Sequence, residues 1–161
     1  MNDAYLNPWY IITLAGEWLV WIFICAFLII VYFRIKNVRA KSAILLLVTS
    51  VLITSLIVFL MKFFIPISRP CTPCIYTNTN CNPYCSPENS FPSGHTAIIF
   101  AAFTSIYISI RKKKFLIFFV IPFIVAASRY VLGLHYWFDI VFGSFIGIAI
   151  PAILWKHGIG R

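Results

Sequence analysis

Apolar residues in this chain are gathered into long blocks, with the polar residues concentrated between them. A hydrocarbon core is crossed by roughly 20 residues of helix. Five blocks have the length and character for this, at about residues 9–33, 42–61, 93–110, 115–132 and 136–155. Between the second and third lies a polar stretch rich in Cys, Pro and Asn, from about residue 68 to 90. Pro122 and Pro151 fall inside blocks, where membrane helices tolerate a kink. The pattern predicts an all-α integral membrane bundle of about five transmembrane helices, forming a single domain over residues 1–161.

Composition agrees. Of the 161 residues, 61% are hydrophobic and only 11% charged, with a mean hydropathy of +0.93. Soluble domains carry about a quarter charged residues. Met1 to Pro8 contain no Lys or Arg ahead of the first apolar block, and that block is long enough to span and stay, so no signal peptide is expected. A formal charge of +9 would ordinarily suggest nucleic acid or anionic lipid as a partner.

The placement of the charges argues against nucleic acid. Arg34, Lys36, Arg39 and Lys41 separate the first two blocks. Arg111, Lys112, Lys113 and Lys114 separate the third and fourth, and Lys156 and Arg161 follow the fifth. The excess of positive charge in cytoplasmic loops assigns these regions to the cytoplasm. The N-terminus, the Cys-rich loop and the turn around His135 then lie outside, and the C-terminus inside. Trp9 and Trp137 would anchor the outer interface and Trp155 the inner one. Lys62, Arg69 and Arg129 remain on the outer side against the rule, and their shared sign and location suggest an anion site.

Three separated pieces meet on that side: Lys62 with Arg69-Pro70; Pro92-Ser93-Gly94-His95; and Ser128-Arg129 with His135 and Asp139. Pro-Ser-Gly-His at a helix start offers a hydroxyl, free backbone N–H groups and the positive end of the helix dipole, a seat for phosphate. Gly94 lets the backbone approach the ligand closely. Arg69 and Arg129 can fork onto phosphate oxygens, while Lys62 acts as a point charge. His135 and Asp139, spaced i,i+4, share a face if a helix begins by His135. A carboxylate there fixes the imidazole tautomer and stabilises its charged form. Two imidazoles then serve two tasks, one attacking phosphorus and the other protonating the departing oxygen.

These pieces resemble the three-part signature of the type 2 phosphatidic acid phosphatase superfamily, which includes lipid phosphate phosphatases and vanadium haloperoxidases. That signature is Lys, six residues, Arg-Pro; Pro-Ser-Gly-His; and Ser-Arg, five residues, His, three residues, Asp. All eleven fixed positions match in order and spacing, and Asp139-Ile-Val-Phe-Gly143 continues in the family's style. The resemblance runs from Lys62 to about Gly147. It implies that His135 is the nucleophile that becomes phosphohistidine, supported by Asp139, and that His95 is the acid for the leaving group. Lys62, Arg69, Ser93, Gly94 and Arg129 then hold the phosphoryl oxygens, and no metal or other cofactor is required. Membrane members commonly have six spans; with five, this chain would lack the first, which turns its N-terminus outward.

Cys71, Cys74, Cys81 and Cys85 lie in the polar loop. Their CxxC and CxxxC spacings resemble a zinc knuckle. An oxidising outer compartment favours two disulfides instead. Of the three possible connectivities, the nested one (Cys71 with Cys85, Cys74 with Cys81) makes a hairpin clip. Cys25 reads as a small apolar core residue. Glu17, within the first block, pairs with Lys62 or another motif cation, or else faces a water-filled cavity or reaches the interface. Asp3 and Glu88 read as solvated, and His157 lies in the cytoplasmic tail. The expected function is hydrolysis of a lipid phosphate in the bilayer, a polyprenyl (dolichyl or undecaprenyl) diphosphate first. Phosphatidate, phosphatidylglycerol phosphate or phosphoryl transfer to another lipid are the alternatives. The reading from a different class is a non-enzymatic membrane protein whose Cys-rich loop binds a metal or a partner.

Overall fold

The computed structural model describes residues 7–73 and 84–160, so Asp3, Cys74, Cys81 and Arg161 lie outside the described residues. Within them the chain forms six α-helices and no strand. Helix α1 (Pro8–Thr13) starts where the Asn7 side chain accepts the Trp9 N–H at 3.0 Å. A 3-10 turn (Leu14–Gly16) and an extended Glu17 (φ −68°, ψ 132°) separate it from α2 (Trp18–Arg34). Asn37 caps α3 (Val38–Phe64) by accepting the Ala40 N–H at 3.2 Å. Then come α4 (Gly94–Ile110), a 3-10 segment (Lys113–Phe119) leading into α5 (Val120–Val131), and α6 (Trp137–Lys156).

Among the described residues three stretches are long and apolar enough to cross a membrane: Val38–Phe64, Lys113–Val131 and Trp137–Lys156. The pair Pro8–Gly16 and Trp18–Arg34, bent by 43°, makes a fourth if taken as one broken span. The first apolar block is therefore not one continuous helix. Its break is stabilised locally, because Trp21 Nε1 donates to the Ala15 carbonyl at 2.8 Å and the Trp21 N–H to the Glu17 carbonyl at 3.3 Å. Irregular backbone at such depth is tolerated where protein surrounds it. The third block becomes the 17-residue α4, about 26 Å long by helical rise. It is the most enclosed of the helices, with Thr96 through Ala102 buried.

Close packing of α4 against α6 depends on missing side chains. A Cβ at Gly143 would stand 2.6 Å from the Ser93 carbonyl oxygen, and one at Gly147 would stand 2.4 Å from that of Ala97. Small residues allow helix backbones to approach in this way inside membranes. The outer faces carry the opposite pattern: Phe23, Phe27, Phe33, Phe59, Phe63, Phe123 and Phe145 are all exposed. Large contiguous apolar exposure of this kind suits a lipid environment rather than water.

The helices alternate in direction, so their ends gather into two groups. Lys62, Gly94, His95 and His135 come together at one end of the bundle. Arg39, Ser109, Trp155 and Gly160 line a cavity at the other, where the Arg111 guanidinium lies 5.5 Å from the centre of the Trp155 ring. Cys25 is buried and carries a free thiol, consistent with a core role.

Candidate active site

The His135–Asp139 pair forms, but by a different geometry from a shared helical face. Helix α6 begins only at Trp137, with Tyr136 as its N-cap. Asp139 is therefore in the first turn, and its Oδ2 accepts the Tyr136 N–H at 2.9 Å. The same oxygen lies 3.3 Å from His135 Nδ1. A carboxylate at a helix start is favoured by the free N–H groups there, so the fold fixes Asp139 before His135 needs it. With Nδ1 engaged, Nε2 is the ring nitrogen left for chemistry. Burial pulls the His135 imidazole below its ordinary value; the bond to Asp139 opposes this, while Arg129, Arg69 and Lys62 add to it. The ring is thus kept neutral with a free lone pair.

The second piece is tied to the third through main chain. The Ser93 N–H donates to the Asp139 carbonyl at 3.1 Å, and Ser93 is the N-cap of α4. Its hydroxyl meets Thr96 Oγ1 at 3.0 Å, both fully buried. Gly94 and His95 then form the first turn of α4, where N–H groups are open to an anion.

The three cations arrive from separate elements. Lys62, in the last turn of α3, donates to the carbonyls of Asn89 and, at 3.3 Å, Ser90. Asn89 returns the bond from its amide to the Lys62 carbonyl at 2.7 Å. Arg69 Nε donates to the Glu88 carbonyl at 3.2 Å, with the Glu88 carboxylate 3.6 Å from its guanidinium. Glu88 is 74% exposed but is not merely solvated, since it sits on Arg69. Arg129, buried on α5, donates from Nη1 to Thr13 Oγ1 at 2.8 Å. Its Nε has no partner among the described residues.

Glu17 pairs with neither Lys62 nor another motif cation of the Lys or Arg type. Its Oε2 lies 3.0 Å from His95 Nε2. Thr13, Asn89 and Ser90, which touch Arg129 and Lys62, had no sequence signal beyond their types, because their partners are distant along the chain.

Two cavities meet at these residues. One, of about 330 Å³, has greasy walls from Trp18, Val58, Phe59 and Ile98 and holds Lys62, Arg69, His95 and His135. The other, of about 360 Å³, is polar and is lined by Tyr10, Thr13, Glu17, Arg69, His95 and Arg129, among others. Trp18, Arg69, Glu88 and His95 border both.

In the polar loop, Cys71 and Cys85 form a disulfide. Oxidised sulfurs are not thiolate ligands, so a zinc knuckle using these two is excluded. Cys74 and Cys81 fall outside the described residues.

Residues 43–158 match the family model of the PAP2 superfamily. A search of curated proteins returns no match. Among solved structures, the crystal structure of Aquifex aeolicus LpxE is similar, with a TM-score of 0.68 and 25% sequence identity; the match covers 92% of this chain and 83% of LpxE.

Proposed function

The chain belongs to the PAP2 superfamily and is a membrane lipid phosphatase, and on that premise we propose that it removes the terminal phosphate of a polyprenyl diphosphate or another lipid phosphate through a phosphohistidine on His135. The reaction takes place at the non-cytoplasmic face and needs no metal ion. His135 Nε2 attacks phosphorus, and the bond to the leaving oxygen breaks with its electron pair on that oxygen. His95 supplies the proton. Water then attacks the phosphohistidine, His95 takes a proton from it, and the P–N bond breaks to release inorganic phosphate. Lys62, Arg69, Arg129, the Ser93 hydroxyl and the Gly94 N–H hold the phosphoryl oxygens and offset the charge that builds on them.

One observation carries this reading: a buried imidazole held at Nδ1 by a carboxylate shares a cavity wall with Lys62, Arg69 and His95. The apolar side of that cavity supports an amphiphile whose headgroup reaches the cations while its chain stays among Trp18, Val58 and Phe59. Basic residues collected at the far end of the bundle support an outward-facing site.

The test is phosphate release by purified protein from a panel of lipid monophosphates and diphosphates, alongside His135→Ala. Activity should be resistant to chelators, blocked by vanadate and abolished in the variant. A His135→Ala protein as active as the parent would overturn the nucleophile assignment, and loss of activity on chelation would overturn the metal-free mechanism. Cysteines placed at Pro87 and Arg111 should label from opposite sides of the membrane; labelling from one side would refute the sidedness.

A further inference from the structure

We propose that the N-terminal segment completes the active site, with Glu17 as the positioning residue that holds His95 in place to protonate the leaving oxygen. This rests on the assignment of His95 as the acid. Glu17 lies outside residues 43–158, where the family match falls. Two separate contacts bring the helix break onto His95. The Glu17 carboxylate is 3.0 Å from His95 Nε2, with both side chains largely withdrawn from solvent. A Cβ at Gly16 would stand 2.9 to 3.1 Å from the Cβ, carbonyl oxygen and Cα of His95, so the backbone of the break is pressed against the His95 main chain. A third contact, Thr13 to Arg129, joins the same segment to the phosphate-binding cations.

The charges around His95 explain why a carboxylate is needed there. Arg129 from α5 and Arg69 from the loop both act on the ring, and Lys62 from α3 and His135 share its cavity. An imidazolium among these cations is opposed by all of them. Of the carboxylates near the site among the described residues, Asp139 is committed to His135 and Tyr136, and Glu88 lies against Arg69. Glu17 is the counter-charge left for His95. The molecule thus has two histidine–carboxylate pairs with different tasks, one orienting the nucleophile and the other orienting the acid. When the P–O bond breaks, its electron pair goes to the leaving oxygen. A proton passes from the His95–Glu17 pair to that oxygen, leaving the pair with one negative charge.

Dependence on the leaving group separates this role from simple support of the fold. An alkoxide needs a proton to depart, whereas p-nitrophenolate does not, and kcat/KM reports every step through departure. In the full-length detergent-solubilised protein, Glu17→Gln should lower kcat/KM about 100-fold for an alkyl phosphate, at the lower end of what general acids contribute. The loss on p-nitrophenyl phosphate should be much smaller, with a diphosphate in between. Glu17→Asp, which keeps the charge, should recover part of the alkyl rate. His95→Ala should show the same selectivity, and His135→Ala should silence all three substrates. Equal losses for Glu17→Gln on alkyl and aryl phosphates, or no loss on either, would overturn the proposal. If His95→Ala shows no selectivity, the assignment of His95 falls and the proposal with it. If His135→Ala retains activity, the nucleophile is wrong whatever Glu17 does.

Discussion

Gly143→Ala tests whether the seam between α4 and α6 sets the position of the phosphate seat. The added Cβ would lie 2.6 Å from the Ser93 carbonyl oxygen, where ordinary contacts begin near 3.4 Å, so something must shift by about 0.8 Å. The obstacle is main chain and cannot swing aside. That carbonyl also accepts the Ala97 N–H at 3.0 Å, and the Ser93 N–H donates to Asp139 at 3.1 Å. Relief therefore moves the start of α4 away from Asp139. Overpacking of this kind costs about 1–3 kcal/mol, and a misplacement near 1 Å can cost about 100-fold in rate. Gly147→Ala provides the comparison, since its Cβ would meet the Ala97 carbonyl at 2.4 Å, one turn further from the seat. Both variants should lower the thermal unfolding midpoint in detergent. Gly143→Ala should lose about 10- to 100-fold in kcat/KM per folded molecule, and Gly147→Ala distinctly less. If Gly143→Ala unfolds earlier yet keeps full specific activity, the seam does not position the seat and the reasoning is wrong.

Two further predictions follow from the electrostatics and the loop. Burial holds the His135 imidazole below its ordinary value of 6.5, so the unfolded chain binds a proton there that the folded one resists. Stability linked to His135 is therefore present above about pH 6.5 and declines as pH falls below it. The unfolding midpoint should drop more steeply with acid in the parent than in His135→Asn, and parallel curves would contradict this. The Cys71–Cys85 disulfide spans 14 positions, a closure worth about 3 kcal/mol to the loop that presents Arg69 and Glu88. Reduction, or Cys71→Ser with Cys85→Ser, should raise KM several-fold, and an unchanged KM would show that Arg69 holds its place without the bridge.

Much of this site was legible because its residue types are costly in an apolar chain. Lys62, Arg69 and Arg129 stood out as cations that topology does not explain, and Lys62, Arg69, His95 and His135 do line one cavity. The helix break at Glu17 was hidden. Gly16 and Glu17 interrupt a long apolar run by only two residues, and hydropathy over a span-length window passes over them. The partner of Glu17 was hidden too, since 78 positions separate it from His95. The i,i+4 spacing of His135 and Asp139 correctly indicated contact but for the wrong reason. The helix starts after His135, and Asp139 reaches back as a capping carboxylate. At 17 residues α4 is shorter and more enclosed than the other apolar helices, a difference that block length does not show because it reports apolarity, not whether lipid or protein surrounds the helix.

The two cavities that share His95 bear on the fate of the phosphoryl group once it is on the protein. Under the proposed mechanism the dephosphorylated lipid withdraws along the greasy side, while the polar side remains open to water. The two acceptors then approach by separate routes, and a departing lipid need not clear the site before water can enter. Hydrolysis competes directly with return of the phosphoryl group to the lipid, and the balance depends on which route is wetter. Narrowing the polar route, for instance by enlarging Thr13 or Ser86, would shift turnover from net hydrolysis toward exchange between lipids.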